Sequence, residues 1–137
     1  MKKIFILLCL IITGTAFSLS SEVSDYLSLL KSEAEKENPG FSGFSAERGN
    51  KIFISSHVND KGKKVSCTTC HGNDLSKTGK DFRTGKIIKP LAPSANSKRL
   101  TNVRDIKKWL KRNFKDVYMR EGSATEKGDV LTYLLNK

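Results

Sequence analysis

The chain has 137 residues, the size of a single small domain, and no internal repeat or low-complexity run divides it. Its composition is strongly basic, because 25 lysine and arginine side chains outnumber 14 acidic ones and give a formal net charge of +11. In a cytoplasmic protein such a charge would point to nucleic acid as a partner. The first residues indicate export instead, so the sequence predicts no nucleic-acid partner.

Residues 1–18 have the organisation of a secretory signal peptide. A start with two lysines is followed by an almost entirely apolar stretch over residues 4–12, which is too short for a stable transmembrane span. Small residues follow, and we expect cleavage between residues 16 and 20. The sequence therefore predicts an exported, periplasmic protein whose mature chain keeps two of the three cysteines.

The first predicted element of the mature chain is a helix over residues 21–38. It belongs to a leading segment, residues 19–44, that precedes the main domain of residues 45–137. The sequence Asn-Pro-Gly at residues 38–40 ends the helix. Apolar residues recur at helical spacing and mark its buried face: Val23, Tyr26, Leu27 and Leu30.

Ser45 is predicted to begin a second helix that carries a glycine and an aromatic residue one turn apart. Gly49 and Phe53 stand at positions i and i+4, on one face. A glycine inside a helix costs about 1 kcal/mol relative to alanine. Gly49 is therefore either a tolerated surface glycine or the point where another helix packs closely against this one. Tyr133 of the last helix is the natural partner for such a crossing.

The last helix is predicted to begin at Ser123 or Thr125 and to end near Leu135. Residues 123–126 (SATE) fit a capping box at its start.

Cys67, Cys70 and His71 form a C-x-x-C-H motif, which is typical of covalent haem c attachment. Two thiols three residues apart lie on one side of a short helical turn, where each can add across one haem vinyl group. The imidazole of His71 can then bind the iron as the proximal ligand. A zinc site needs one more ligand than this motif supplies, and no βαβ pattern supports a thioredoxin-like protein. The sequence therefore predicts one covalently bound haem c.

The segments after the motif are predicted to be loops around the haem edge, since residues 72–88 hold few apolar side chains. Arg83 and Lys86 are candidates to neutralise the haem propionates, although solvated loop cations have the same pattern. Residues 89–93 contain two prolines and should be extended. A backbone carbonyl of that segment is a candidate to fix the second ring nitrogen of His71.

A helix over residues 103–114 is predicted to turn an apolar stripe to the core, and the stripe continues if the helix is longer. Asn113 falls within this stripe, and Trp109 borders it. An amide on a core-facing side needs a partner. That partner is either a backbone group near the helix end, where Asn is favoured, or the haem iron. The stripe consists of Val103, Ile106, Leu110, Phe114 and Val117.

Together these features resemble the small monohaem cytochrome c fold, and several local sequences are similar to the sphaeroides haem protein family of oxygen-binding, high-spin cytochromes c. The resemblance spans residues 45–135 and implies an all-α fold of about four to five helices, with long loops wrapping one covalently attached haem. The C-x-x-C-H motif is generic to c-type haems, so the RTGK and PLAPSA sequences are its more specific part. The similar segments are residues 67–72 (CTTCHG), 83–86 (RTGK), 90–95 (PLAPSA), 108–110 (KWL), 112–113 (RN) and 126–127 (EK).

The same resemblance implies that Asn113 is the sixth iron ligand. An amide oxygen is a neutral, hard donor that should hold ferric iron weakly and ferrous iron hardly at all. Reduction would then release Asn113 and open a site for a small ligand. Similar family members carry a cysteine just after the asparagine and another further on, which form a disulfide. Phe114 and Gly122 occupy those positions here, so no such disulfide can hold the asparagine segment.

Other arrangements compete with Asn113. Met119 would give the commoner His/Met arrangement, which raises the reduction potential, or it simply fills a gap in the packing. His57 is a weaker candidate, because it lies in a polar stretch predicted to be a loop and exposed loop histidines are common. A vacant or water-bound position is the remaining alternative.

Two functions follow from these alternatives. With Asn113 as the ligand, the protein is expected to take electrons from a partner cytochrome and to bind O₂, NO or a similar small ligand. With Met119 it would be a plain electron carrier. In either case we expect an electron-transfer or ligand-binding protein rather than a dedicated enzyme. The resemblance implies a dihaem cytochrome c and a membrane cytochrome b as redox partners, and the basic charge favours an acidic partner, an anionic membrane surface, or solubility alone.

Overall fold

The computed structural model describes residues 19–137, so the signal peptide predicted for residues 1–18 lies outside the described residues. The architecture is mainly helical, which confirms the predicted all-α class. Within the described range, no helix combines the length and the apolar character needed to cross a membrane. In chain order the elements are α1 (Ser21–Glu37), α2 (Ala46–Ile54), β1 (His57–Val58), β2 (Lys64–Val65), α3 (Thr68–His71), β3 (Gly79–Lys80), β4 (Ile87–Ile88), α4 (Val103–Tyr118) and α5 (Ala124–Leu135).

Helices α2 and α5 cross at Gly49, as the sequence predicts. A methyl group at Gly49 would overlap the carbonyl oxygen of Asp129 and lie 2.8 Å from Cβ of Tyr133, so only glycine allows this approach. Phe53 lies beside the contact, with its ring centroid 5.6 Å from that of Tyr133 and 5.9 Å from that of His71. The crossing therefore extends directly to the C-x-x-C-H segment.

A buried carboxylate ties the start of α2 to α5. Asp129 is only 1 % exposed. Its Oδ2 accepts a hydrogen bond from Arg48 Nε at 2.7 Å, and its Oδ1 accepts from Arg48 Nη2 at 2.9 Å. Oδ1 also accepts from the backbone N–H of Ser45, the predicted N-cap residue, at 2.7 Å. Because all three donors come from one end of α2, the carboxylate fixes the angle at which the two helices cross.

Helix α1 packs against the same core. Its last residue, Glu37, accepts a hydrogen bond from the backbone N–H of Ala124 at 3.2 Å. Ser123 and Glu126 form the predicted capping box at that end of α5. Leu27, expected on the apolar face, is only partly buried. The buried residues of α1 are Val23, Tyr26, Leu30 and Ala34.

Helix α4 is longer than the sequence predicts, since it continues past residue 114 to Tyr118. The hydroxyl of Tyr118 donates a hydrogen bond to the carbonyl of Ile52 at 2.7 Å, which anchors the added turn to α2. Met119 then ends the helix in the left-handed conformation, with φ 58°. As a result Asn113 lies inside the helix, more than one turn before its end, and not at a helix terminus.

The two polar stretches predicted as loops each contain a small antiparallel hairpin. In the first, His57 of β1 pairs in register with Val65 of β2. In the second, Gly79 of β3 pairs with Ile88 of β4. Strands of two residues are too short to show an alternating pattern, so the sequence carried no signal for them.

Candidate haem site

A cavity of about 610 Å³ opens beside α3, the β3–β4 hairpin and α4. This volume lies within the range of cofactor pockets, about 300–1,000 Å³. Phe53, Leu110 and Leu131 belong to its apolar lining and to the buried core. Apart from the alternative iron ligands, the cavity is lined by all the residues that the sequence singles out for the haem: Cys67, Cys70, His71, Arg83, Lys86, Trp109 and Asn113.

The two thiols and the imidazole are brought together by the turn of α3. The N–H groups of Cys70 and His71 donate to the carbonyl of Cys67 at 3.3 and 3.1 Å, which confirms the predicted helical turn. Both cysteines are free thiols. Gly79 of β3 packs so closely on α3 that a methyl group there would overlap the Cys70 carbonyl. The hairpin therefore supports the motif from one side.

Burial sets the protonation of these groups. It raises the pKa of the Cys67 thiol to about 12, with the neighbouring Cys70 sulfur as a smaller contribution. Burial, and to a lesser extent the positive charge of Arg99, lowers the pKa of His71 to about 4. His71 is thus neutral at physiological pH and has a ring nitrogen free to bind a metal.

The carbonyls of residues 89–93 have other partners than His71. Arg99 donates from Nε to the Pro90 carbonyl at 3.0 Å and from Nη2 to the Lys89 carbonyl at 2.9 Å. Asn96 also donates to Pro90, at 3.2 Å. Among the hydrogen bonds of residues 19–137, none joins His71 to this segment. No sequence motif marks Arg99, because it reaches the site only through tertiary folding.

Asn113 lies on the wall that α4 contributes to the cavity and is half-buried. The α4 side chains that hydrogen-bond to other elements in the described part of the chain are Asp116 and Tyr118, and Asn113 takes no part in these bonds. The backbone partner considered for its amide is therefore not found in residues 19–137. Trp109 borders the same wall with 44 % exposure, and its ring is flanked by Lys108 and Arg112.

The two candidate propionate cations differ in their surroundings. Arg83 forms a bidentate pair with Asp116 of α4, with distances of 3.1 Å from Nη1 to Oδ1 and 2.9 Å from Nη2 to Oδ2. Lys86 forms no ion pair with any residue of 19–137. Lys86 is thus the cation available to a haem carboxylate, whereas Arg83 already pairs with the carboxylate of Asp116, which no sequence pattern marks.

Neither alternative iron ligand lines the cavity in the described structure. Met119 is 52 % exposed just after α4. His57 packs its ring on Tyr118, with the centroids 4.0 Å apart. Tyr118 itself does line the cavity, and His57 Nε2 is buried without a hydrogen-bond partner among the described residues.

The residues present fit a covalently attached haem. The cavity has the size of a cofactor pocket and a partly apolar wall, as a large apolar disc requires. Two free thiols and a neutral imidazole line it, and Lys86 supplies a positive charge. These are the donors that a c-type haem needs.

Comparison with known sequences agrees with this site. Residues 39–134 match the family model described as a domain of unknown function, DUF1924. The chain is 38 % identical over 130 residues to the cytochrome c-type protein SHP of Cereibacter sphaeroides, and the match covers 95 % of each chain. It is 32 % identical over 104 residues to cytochrome c″ of Methylophilus methylotrophus, covering 76 % of this chain and 72 % of that one.

Solved structures give the same result. The structure of oxidized SHP, described as an oxygen binding cytochrome c, has a TM-score of 0.73 at 35 % identity and covers 88 % of this chain and 99 % of that one. Oxidized cytochrome c″ from Methylophilus methylotrophus has a TM-score of 0.74 at 29 % identity, with 84 % and 94 % covered. These matches confirm the predicted resemblance and the small monohaem cytochrome c fold. The chain belongs to the DUF1924 family of small c-type cytochromes, which includes SHP and cytochrome c″, and it carries one covalently attached haem c.

Proposed function

We propose that this cytochrome takes electrons from a partner cytochrome in the periplasm and binds O₂, NO or a similar small ligand at a position that Asn113 can vacate. One observation carries the proposal. The Asn113 side chain lines the same cavity as His71 and takes no part in the hydrogen bonds that α4 side chains make to other elements in the described residues. The description of SHP as an oxygen binding cytochrome c supports it by analogy.

In this proposal Cys67 and Cys70 would hold the cofactor covalently, and His71 would bind its iron through a neutral ring nitrogen. When bound, the haem supplies an iron that changes oxidation state and accepts a small sixth ligand. Asn113 offers a weak amide oxygen that the ligand can displace. Because Asn113 lies within α4 rather than at its end, its departure requires a rotamer change or a displacement of the helix.

The second candidate function is plain electron transfer with Met119 as the sixth ligand. The structure favours it less, since Met119 lies outside the cavity lining and half of its surface is exposed. To reach the cavity, its segment would have to leave the left-handed turn that ends α4.

Replacing Asn113 with alanine is expected to change the ferric optical spectrum of the holoprotein and to leave CO binding by the ferrous form within about twofold of the unmodified protein. The reason is that the amide holds only the ferric state appreciably. Optical spectra of both oxidation states, with and without CO, measure this result.

Met119→Ala is the matched control, and both of its spectra should remain unchanged. A low-spin ferrous form together with a sulfur-to-iron band in the ferric state would contradict the proposal, and loss of that band in Met119→Ala would assign the ligand to Met119. An unchanged ferric spectrum in Asn113→Ala would likewise show that Asn113 is not the ligand.

The docking site of the proposed redox partner is the cationic part of the cavity rim, where Lys86 and Trp109 line the cavity and Lys108 flanks the Trp109 ring. Electron transfer from an acidic partner cytochrome should therefore slow by about tenfold as the salt concentration rises from about 0.01 M to about 0.5 M. Stopped-flow reduction measures this rate. Lys108→Gln should lower it at low salt, whereas Lys36→Gln on α1 should not, and equal effects would exclude this rim as the docking site.

A further inference from the structure

The β3–β4 hairpin and helix α4 face each other across one edge of the cavity, and a single pair of side chains hydrogen-bonds them together in the described structure. Arg83 stands at the tip of the hairpin, and Asp116 lies one turn after Asn113 on α4. Both side chains line the cavity. The two hydrogen bonds of this pair are 3.1 and 2.9 Å long. They join the hairpin that packs against the C-x-x-C-H segment to the helix that carries Asn113.

The hairpin side of this pair is shaped by hydrogen bonds within the hairpin and by its packing on α3. Asp81 Oδ1 accepts hydrogen bonds from the N–H groups of Arg83 at 2.9 Å and Thr84 at 3.0 Å, which shapes the tip. At its base, the close approach of Gly79 to the Cys70 carbonyl sets the hairpin against α3. The backbone of Arg83 is therefore placed by contacts within the hairpin and with α3, while its side chain pairs with α4.

On the helix side, the pair belongs to a face of α4 that borders the cavity. The C-terminal end of α4 is held to α2 by Tyr118, and Phe114 and Val117 are buried, but the face that carries Asn113 and Asp116 borders the cavity. Arg112 adds a weaker contact to Asp116 within the helix, 3.7 Å from Nε to Oδ2. The Arg83 and Asp116 side chains are about one-third exposed, so the pair is only partly screened by solvent.

We propose that Arg83 and Asp116 form a latch that positions Asn113, and that breaking this ion pair makes the Asn113 face of the cavity easier to open to a small ligand. The inference rests on the proposed function of Asn113. It assigns Asp116 a positioning role, and it gives Arg83 a role besides that of a propionate cation. Bidentate geometry makes the pair directional, because a guanidinium and a carboxylate that share two hydrogen bonds fix their relative orientation.

The test uses the ferric holoprotein and imidazole, which must displace Asn113 to bind. At saturating imidazole, the rate should be limited by the release of Asn113. Asp116→Asn and Arg83→Gln should each raise this limiting rate about three- to fivefold at about 0.01 M salt, the effect expected for one partly exposed bidentate pair. Arg83→Lys, which cannot pair through two nitrogens, should fall between Arg83→Gln and the unmodified protein.

The double variant and a charge-matched control complete the test. Since the two side chains act as one unit, Arg83→Gln/Asp116→Asn should be no faster than the faster single variant. Asp105→Asn removes the same charge from α4 at a residue that also lines the cavity but forms no ion pair in residues 19–137, and its rate should stay within about 1.5-fold. Full additivity, or an equal effect of Asp105→Asn, would overturn the latch.

Amide hydrogen exchange separates failure of the latch from failure of the proposed function. In Asp116→Asn, exchange should quicken in residues 110–118 relative to Asp105→Asn, whichever side chain binds the iron. If the limiting rate of imidazole binding in Asn113→Ala equals that of the unmodified protein, the proposed role of Asn113 is wrong. If amide exchange in Asp116→Asn is unchanged, no latch holds α4, whatever the role of Asn113.

Discussion

Replacing Cys67 and Cys70 together with alanine is expected to abolish covalent haem attachment completely. Both thiols are free, and no other cysteine occurs from residue 19 onward. Each thioether forms when a thiol adds across one vinyl group, so the double variant loses both bonds. Peroxidase staining of haem on a denaturing gel, together with the pyridine haemochrome spectrum, measures what remains bound.

The single variants keep this test informative if the double variant does not fold. Cys67→Ala and Cys70→Ala should each retain one covalent bond, with a haemochrome spectrum shifted towards that of a haem with one free vinyl group. Thr69→Ala, which changes an exposed residue between the two cysteines, is the control and should stain like the unmodified protein. Haem that stayed covalently bound in the double variant would mean that another side chain attaches it.

Gly49→Ala is expected to cost at least about 2 kcal/mol of unfolding free energy, even though alanine is the better helix former by about 1 kcal/mol. The added methyl group would overlap the Asp129 carbonyl and press on Tyr133, so α2 and α5 would have to separate. Because Phe53 packs between Tyr133 and His71, that movement should also disturb the haem spectrum. Denaturant unfolding followed by circular dichroism measures the loss.

Lys51→Ala tests whether the effect is specific to the crossing. This side chain is on the same helix but exposed, so its removal should change the unfolding free energy by less than about 0.5 kcal/mol. A Gly49→Ala protein as stable as Lys51→Ala, with an unchanged spectrum, would show that the helices can separate without cost.

The features that the sequence predicted well depend only on residues that are close together in the chain. The C-x-x-C-H turn, the Ser45 N-cap and the Ser123–Glu126 capping box need only a few consecutive positions. The crossing at Gly49 was also predictable. A glycine inside a helix lowers the stability of that helix, so its presence suggests that another helix packs closely against it. Together with the family resemblance, these local patterns sufficed for the fold class.

The remaining features depend on contacts between distant parts of the chain. Arg83 meets Asp116 at a separation of 33 residues, and Arg48 meets Asp129 at a separation of 81. No local pattern marks such pairs, because a surface charge in sequence looks the same whether or not it has a partner. The end of α4 was misplaced for a similar reason, since the hydrogen bond from Tyr118 to Ile52 that anchors its last turn is tertiary.

The contact between Phe114 and Gly122 bears on how the protein matures. A methyl group at Gly122 would come within 2.8 Å of the Phe114 ring, so the ring lies directly on the glycine backbone. The connection from α4 to α5 is thereby closed by packing and not by a disulfide. Closure then needs no oxidant. From residue 19 onward the two thiols that hold the cofactor face no third cysteine, so no disulfide to another segment of this part of the chain competes with haem attachment.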